Sequence, residues 1–222
     1  MDRSPGISIP ADGATLQGDL EGPLDPRGLV IFVHGSGSSR FSARNRAVAR
    51  VVRDAGFATL LADLLSPSEE ALDRMTSALR FDIPLLAERT RTMIGWCASR
   101  PPFAAVPIGL FGASTGAAAA IVAASTQPER VRAVVSRGGR IDLAGDHLAA
   151  LDAPLLMLVG ENDEPLVELH ERNIPRLRCA HRYVVIPGAS HLFEETGALE
   201  RVASLAAGWF DEHLARKRIG ST

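Results

Sequence analysis

Short, continuously apolar runs alternate with helix-type segments through most of this 222-residue chain. The run GLVIFVHG at 28–35 has no polar alternation, which is typical of a strand buried on both faces of a sheet. Strands of this kind, each followed by a helix, predict a mainly parallel sheet with helices on both of its faces. Ligands of such folds bind beyond the carboxyl ends of the strands, so functional residues are expected in the segments that follow the strands.

The same patterns predict the individual elements. Residues 7–20 are predicted as a hairpin, with ADGA as its turn. Further strands are predicted at 28–35, 57–63, 106–112, 131–136, 154–160 and 182–188, and helices at about 42–55, 84–99, 115–127 and 198–214. The connection at 137–154 is too short for a separate cap domain. Residues 64–82 leave room for a small lid, so we expect a rather open pocket.

Length and composition narrow the class of protein. We expect one domain over residues 1–222, because this length supports a single core and no linker interrupts it. The formal net charge is −2 without a basic stripe, which argues against a nucleic-acid partner. The N-terminal segment has no apolar signal core and no run is long enough to span a bilayer, which predicts a cytoplasmic protein without a membrane partner. Cys97 and Cys179 form no CxxC pair, which predicts neither a disulfide framework nor a structural zinc site.

The stretch GLFGASTGAAAAIVAA at 109–124 places Ser114 where a strand-type pattern becomes a helix-type one. In that context Gly-x-Ser-x-Gly is informative, because a sharp turn lifts the serine hydroxyl above the sheet. Gly112 and Gly116 leave room for a close approach of backbone segments. The helix N-terminus also favours the negative charge that develops on an attacked carbonyl oxygen. We therefore predict that Ser114 is a nucleophile rather than an ordinary turn serine.

A serine hydroxyl needs a base that takes its proton. His191 lies in PGASHLFEE, directly after the last predicted strand and on the same sheet edge as Ser114. Among the other histidines only His34 shares this edge, and its segment VHGSGSS is better suited to another role. The remaining four are predicted in helices, in a connecting loop or at the opposite edge. His191 is the predicted base, and a surface loop histidine is the alternative.

The base in turn needs an acid that holds its tautomer and stabilises the imidazolium. Asp163 lies in LVGENDEP, again just past a strand, and gives the chain order nucleophile, acid, base that one hydrolase fold shows. Glu161, Glu164 and Asp142 are rivals. Asp142 is the strongest of them because it follows the preceding strand.

An oxyanion hole requires two backbone N–H donors. Thr115, next to the nucleophile, is expected to supply one of them. The glycines of HGSGSS allow an unusual backbone at the end of the 28–35 strand, and we assign the second donor to Ser36. The alternative is a flexible Gly/Ser loop without a catalytic role.

Four motifs occur together and in order: HGSGSSR, GASTG, GENDEP and GASHLF. On these residues the chain resembles the α/β-hydrolase superfamily and, more narrowly, small dienelactone-hydrolase-like proteins. The resemblance runs from residue 6 to the final helix. It implies an α/β-hydrolase fold, with a mostly parallel eight-stranded sheet and no large cap domain. It also implies serine-dependent acyl hydrolysis without a metal or organic cofactor.

The resemblance also implies roles for individual residues. Ser114, Asp163 and His191 match the superfamily's nucleophile, acid and base, and Ser36 and Thr115 match its oxyanion donors. Dienelactone hydrolases proper carry a cysteine at the nucleophile position, where this chain has Ser114. The resemblance therefore points to a general carboxylic-ester hydrolase rather than to dienelactone as the substrate.

Two arginine-containing segments are candidates for substrate contacts. Arg137 follows the strand VRAVVS on the predicted catalytic edge, where a guanidinium can clamp a carboxylate. The favoured alternative is an ion pair with Asp142, Asp163 or Glu164, since structural ion pairs also occupy such positions. In SSRFSARNR the arginines are expected on the solvated surface. Arg40 stands out there because a cation at a helix N-terminus opposes the dipole and calls for a partner or ligand.

These residues predict a serine esterase that acts on a small-molecule ester, as a monomer or a homodimer. A lactonase, a thioesterase or a perhydrolase would use the same acyl-enzyme. A non-catalytic binding module of the same fold is the alternative from another class. Intact candidates for nucleophile, acid, base and oxyanion loop argue against it.

Overall fold

A computed structural model describes residues 6–214, and the predicted domain span of 1–222 extends beyond them at both ends. The strands are β1 (Ile7–Ala11), β2 (Ala14–Glu21), β3 (Leu29–Val33), β4 (Ala58–Ala62), β5 (Ile108–Ala113), β6 (Val131–Arg137), β7 (Leu155–Gly160) and β8 (His181–Ile186). The helices are α1 (Ala43–Asp54), α2 (Pro67–Thr76), α3 (Ile83–Ala98), α4 (Thr115–Thr126), α5 (Glu164–Asn173) and α6 (Ala198–Leu214).

The strands form one sheet in the order β1-β2-β4-β3-β5-β6-β7-β8. β1 and β2 form the predicted antiparallel hairpin, and β2 also runs antiparallel to β4. All pairings from β4 to β8 are parallel, so the ends of β3, β5, β6, β7 and β8 meet at one edge. This architecture confirms the predicted eight-stranded, mostly parallel sheet.

Side chains alternate between two cores along the central strands. On β3, Val30 and Phe32 contribute to the core beneath α1 and α6, whereas Ile31 contributes to the core beneath α3 and α4. Both sets are buried, which explains why β3 reads as a continuous apolar run rather than as an alternating one. Helices therefore cover both faces of the sheet, as predicted.

Helix α4 is enclosed on all sides. All ten residues from Thr115 to Ala124 are buried, although an ordinary surface helix buries only one stripe. The alanines make this possible, because their short side chains allow the helix to approach both the sheet and α3. The helix that follows Ser114 is thereby held rigidly by its neighbours.

The segment between β4 and α3 contains a helix that the sequence analysis did not predict. Ser66 caps the start of α2 and forms a capping box with Glu69, and Ser77, whose φ is 56°, caps its end. A short 3-10 turn follows at Leu79–Phe81. The sequence analysis allowed a small lid in this stretch. The stretch faces the loop that follows β3, and both line one cavity. The connection between β6 and β7 holds only a 3-10 segment, Ile141–Leu148, so no large cap domain is present there.

Across residues 6–214, no helix combines the length and the apolar character that crossing a bilayer requires.

Candidate active site

Ser114 occupies a strained turn between β5 and α4. Its φ and ψ are 51° and −122°, a conformation that a non-glycine residue adopts only when its surroundings enforce it. The neighbouring glycines show how tight the turn is. A Cβ atom on Gly116 would lie 2.2 Å from the carbonyl oxygen of Val33, and one on Gly112 would lie 2.4 Å from the Cα of Ala117. The Gly-x-Ser-x-Gly spacing is thus a steric requirement of this turn.

Backbone hydrogen bonds fix the turn to the end of β6. The Ser114 N–H donates to the carbonyl of Arg137 at 3.1 Å, and the Ser114 carbonyl accepts from Arg140 N at 3.1 Å. The Ser114 hydroxyl makes no capping hydrogen bond to α4, although serine at a helix start commonly does so. Within residues 6–214 the hydroxyl is therefore left free at the edge of the sheet.

His191 and Asp163 form a direct pair. The Nδ1 atom of His191 lies 2.6 Å from the Oδ2 atom of Asp163, in the range of a charge-assisted hydrogen bond. The carboxylate accepts, so the Nδ1 atom carries the proton and the Nε2 atom is left as the basic nitrogen. The Asp163 side chain is largely buried, with 15% of its surface exposed, whereas that of His191 is 43% exposed. This pairing suits a base that faces solvent and substrate.

The two loops that carry this pair are fastened to each other. Asn162 donates from its backbone to Ala189 at 2.9 Å and from its side chain to Gly188 at 2.8 Å. A Cβ atom on Gly160 would lie 2.3 Å from the carbonyl oxygen of Ala189, so only glycine permits this approach. The end of β7 and the end of β8 are thereby held in register.

Ser114 and His191 line the same cavity, which has a volume of about 200 Å³. Its walls also include Ser36, Arg44, Arg137 and Leu192. A second cavity of about 250 Å³ lies beside it beneath α2, and the two share Gly35, Ser36 and Ser38. The space next to the serine is therefore small, and a second chamber adjoins it at the loop after β3.

The two predicted oxyanion donors are in contact. The Ser36 N–H donates to the hydroxyl oxygen of Thr115 at 3.0 Å, and the hydroxyl oxygens of the two residues also lie 3.0 Å apart. The Thr115 N–H is the first of α4, and the first four N–H groups of a helix have no partner within it. In this state the Thr115 amide is available to a ligand, while the Ser36 amide is bound to the Thr115 side chain.

His34, the rival base, has both ring nitrogens engaged. Its Nδ1 atom lies 2.9 Å from the carbonyl of Gly35, and its Nε2 atom accepts from the Leu64 N–H at 3.1 Å. Burial lowers its pKa. This ring is a structural link between two loops and has no nitrogen left for a serine.

Asp142, the rival acid, is bound elsewhere. Its carboxylate accepts two hydrogen bonds from Arg140, at 2.9 and 2.8 Å. Burial raises the pKa of Asp142, but the bonds from Arg140 outweigh it and the pKa lies below its usual value. Glu161 accepts instead from the Gly188 N–H at 2.7 Å. Of the acidic candidates that the sequence analysis weighed, Asp163 is the one bound to His191.

The two candidate arginines have different surroundings. Arg40 pairs with Asp63 and lies 3.8 Å from Asp19, so the structure gives it protein partners and it does not line the Ser114 cavity. Arg137 is the last residue of β6 and does line that cavity. The ion pair that the sequence analysis favoured for Arg137 is absent among residues 6–214, and its Nε and Nη1 atoms are buried without a hydrogen-bond partner.

Arg44 was expected on the solvated surface, but it lines the Ser114 cavity. It lies in the first turn of α1, which contains no acidic residue. A cation at that position opposes the helix dipole. The same argument drew attention to Arg40, which lies four residues earlier and before the helix begins, and it applies equally to Arg44.

The described residues bring no group of three or more histidine, cysteine, aspartate or glutamate side chains into an arrangement that could hold a metal ion. Cys97 is buried, and burial raises its pKa to about 12, so its thiol is protonated at neutral pH.

A mostly parallel sheet in this strand order, with a serine in a strained strand-to-helix turn, is the arrangement of the α/β-hydrolase fold. The model of the dienelactone hydrolase family matches residues 16–212. The chain belongs to that family.

Solved structures agree with this assignment. A dienelactone hydrolase from Anabaena variabilis is 49% identical, with a TM-score of 0.92, and the match covers 94% of this chain and 97% of that one. Est1E from Butyrivibrio proteoclasticus has the same fold at 17% identity, with a TM-score of 0.80 over 96% of this chain and all of the other.

Curated relatives are longer than this chain. It is 51% identical over 212 residues to the protein named "Putative phosphoribosyl transferase Rv0571c" from Mycobacterium tuberculosis. The match covers 96% of this chain and 47% of that protein. The chain thus spans about half the length of the curated relatives that it matches.

Proposed function

We propose that this chain hydrolyses carboxylic esters through an acyl-enzyme formed on Ser114. The observation that carries the proposal is the 2.6 Å hydrogen bond between His191 and Asp163, on a ring that lines the same cavity as the free Ser114 hydroxyl. That bond directs the basic nitrogen of the imidazole away from the carboxylate. A nucleophile, a base and an orienting acid are the three parts that acyl transfer requires.

In the first half of the reaction, the Ser114 oxygen attacks the ester carbonyl while His191 Nε2 takes the hydroxyl proton. The carbonyl oxygen becomes an oxyanion, which the Thr115 N–H stabilises at the start of α4. Collapse of this intermediate breaks the bond to the alcohol, and His191 returns the proton to the leaving oxygen. Asp163 stabilises the imidazolium throughout.

In the second half, water takes the place of the alcohol. His191 removes a proton from water as it attacks the acyl carbonyl, and it then protonates Ser114 as the acid leaves. No redox change and no cofactor enter either half. Lactones, thioesters and peracid formation share the acyl-enzyme and differ in the leaving group or the acceptor, so they remain the nearest alternatives.

The Ser36 amide becomes a second oxyanion donor when the Thr115 hydroxyl releases it. The present contact places this N–H within 3.0 Å of the Thr115 side chain, directly beside the nucleophile. Release requires the Thr115 side chain to turn about χ1, because rotating the hydroxyl hydrogen alone leaves the accepting oxygen in place. The proposal thus assigns Thr115 two tasks: its amide binds the oxyanion, and its hydroxyl holds the Ser36 amide in place beforehand.

The transferase activity in the name of the curated relatives is not carried over to this chain. The match covers less than half of those proteins, and the matched residues here are those of the dienelactone hydrolase family.

The test combines covalent labelling with an ester panel. We expect a fluorophosphonate probe to label the protein and Ser114→Ala to abolish both labelling and hydrolysis, because triad members act as a unit worth about a million-fold in kcat. Ser125→Ala, at the far end of the same helix, is the matched control and should retain both. A Ser114→Ala variant that is still labelled and active would refute the mechanism. A folded wild type that the probe does not label would favour the non-catalytic binding module.

A further inference from the structure

The turn that carries His191 is strained and is anchored at its far side. The Phe193 N–H donates to the Ser190 carbonyl at 3.2 Å, so the chain reverses direction around the histidine. Phe193 has a φ of 56°, a left-handed conformation that a phenylalanine adopts only when its surroundings enforce it. Its ring is buried in the core beneath α1 and α6. The His191 side chain is 43% exposed, so packing holds it less firmly than it holds Phe193.

The carboxylate of Glu195 closes this turn. Its Oε1 atom accepts a hydrogen bond from the Ser190 N–H at 3.0 Å, so residues 191–194 lie inside a loop whose two ends are bonded to each other. Hydrogen bonds from Ser190, first from its side chain and then from its backbone, hold the pKa of Glu195 below its usual value. Glu195 is therefore ionised at neutral pH, and its bond to the Ser190 N–H is charge-assisted.

Glu195 also connects the turn to a well-anchored helix. Its carbonyl accepts from the N–H of Ala198, the first residue of α6, at 3.0 Å. Helix α6 is held in place by a buried face that includes Val202, Ala206 and Phe210. The turn around the histidine is thereby fixed relative to the core, and not only relative to the loop of its acid.

A second carboxylate holds the approach to this turn. Glu161, in the loop that carries Asp163, accepts from the Gly188 N–H at 2.7 Å. That bond lies before His191 in the chain, whereas the bond of Glu195 spans His191 itself. The first bond keeps the histidine loop beside its acid, and the second restrains the segment from which the imidazole projects.

We propose that Glu195 is a positioning residue of the active site, whose carboxylate fixes the turn so that the His191 imidazole stays between Asp163 and Ser114. This inference rests on the proposed esterase function. Glu195 is not among the residues that line the Ser114 cavity, so it acts through Ser190 rather than on the substrate. A base must remain within hydrogen-bond reach of the proton that it takes, and small displacements of a catalytic group slow the reaction strongly.

The kinetic test separates positioning from substrate binding. On p-nitrophenyl butyrate, Glu195→Ala should lower kcat by roughly ten- to hundred-fold, the range for one hydrogen bond to a charged group, and should leave KM nearly unchanged. Glu195→Gln should restore most of kcat, because its amide oxygen can still accept from the Ser190 N–H. Glu200→Ala removes an exposed carboxylate from the first turn of α6 and is the matched control, with wild-type kinetics expected. Thermal melts of each variant identify any loss of fold. A Glu195→Ala variant with wild-type kcat would overturn the proposal.

Proton NMR tests the position of His191 without any catalysis. The Nδ1 proton of a histidine bonded to a carboxylate resonates far downfield, and the absence of that signal from Asp163→Asn assigns it here. In the Ser114→Ala background, Glu195→Ala should broaden or remove the signal, whereas Glu195→Gln and Glu200→Ala should keep it. A fall in kcat with an unchanged signal would overturn the proposal, because the turn would then be intact.

The two measurements keep this proposal separate from the catalytic one. If the protein hydrolyses no ester but Glu195→Ala removes the downfield signal, the esterase function fails and the positioning role stands. If esters are hydrolysed and Glu195→Ala changes neither kcat nor the signal, the positioning role fails and the esterase function stands.

Discussion

The backbone amide of Ser36 and the side chain of Thr115 are joined by a 3.0 Å hydrogen bond, although 79 positions separate them in the chain. The Thr115 oxygen accepts this bond and lies 3.0 Å from the Ser36 hydroxyl, which itself donates to the carbonyl of Arg80 at 3.4 Å. These two hydroxyls therefore connect the nucleophile helix, the loop after β3 and the 3-10 turn that follows α2.

Replacing Thr115 by valine tests whether the hydrogen bond to the Ser36 amide limits the use of that amide as an oxyanion donor. The variant loses both hydrogen bonds of the Thr115 hydroxyl to Ser36, so we expect the free energy of unfolding to fall by about 1–3 kcal/mol. The Ser36 amide no longer has to leave a partner before it binds an oxyanion, so kcat/KM should rise by up to about tenfold. Thr115→Ser keeps the hydroxyl and should behave as wild type in ester kinetics and denaturant titration. A fall in kcat/KM for the valine variant alone would show that the hydroxyl takes part in catalysis directly.

Asp163→Asn should impair hydrolysis far more than Asp142→Asn. The amide cannot stabilise the imidazolium and can hold the wrong tautomer of His191, a change that costs about ten-thousand-fold in kcat in a comparable triad. Asp142 binds Arg140 rather than a histidine, so its variant should lose stability but keep its turnover. Initial rates on one neutral ester, with a thermal melt of each variant, measure both effects. If Asp142→Asn abolished hydrolysis and Asp163→Asn reduced it only slightly, the catalytic acid would be Asp142, in the segment after β6.

Arg137→Met should raise the melting temperature in buffer without multivalent anions, because it removes a buried charge that has no partner. The folded-state pKa of about 10 lies below the usual value of an arginine, so folding disfavours the charged form. The penalty is therefore fully present well below pH 10 and diminishes as the pH rises through 10 towards the usual arginine pKa. Melts at pH 6, 8 and 10 should show an equal gain at the first two values and a smaller gain at the third. An unchanged or lower melting temperature at pH 7 would show that the charge is already compensated.

Gly116→Ala should abolish folding or activity, because the added Cβ atom would lie 2.2 Å from a backbone oxygen that cannot move aside. Gly208→Ala is the matched control. A Cβ atom there meets nothing within 4 Å, and alanine favours a helix over glycine by about 1 kcal/mol. Circular dichroism melts should therefore place the two variants on opposite sides of wild type. A stable, active Gly116→Ala would mean that the turn has more room than the structure shows.

Local sequence patterns predicted the strands and the turn at Ser114. Each of these depends on residues that are close in sequence, such as the apolar run of β3 and the two glycines around Ser114. Helix α2 escaped prediction because it has no apolar stripe facing a core. Its large apolar residues Leu72 and Met75 are exposed, and Asp73 is its buried residue.

The contents of the cavity were harder to predict, because they depend on which partners the rest of the fold brings near. The position of Arg137 at a strand end is visible in the sequence. That residues 6–214 give it no anion follows only from the tertiary structure, which pairs Asp142 with Arg140 and Asp163 with His191. Arg44 and Arg40 occur in one short segment, and only tertiary structure shows which of them reaches Ser114 and which is neutralised by Asp63.

Helix α4 is buried along ten consecutive residues, and this determines how its amide protons exchange with solvent. Its amide protons can exchange with solvent only when the sheet and α3 separate from it, which amounts to cooperative unfolding of the whole structure. Helix α2 exposes most of its side chains and can open by itself. The wall that presents Ser114 thus belongs to the most slowly exchanging unit, and adaptation to the shape of a substrate is left to the segments around it.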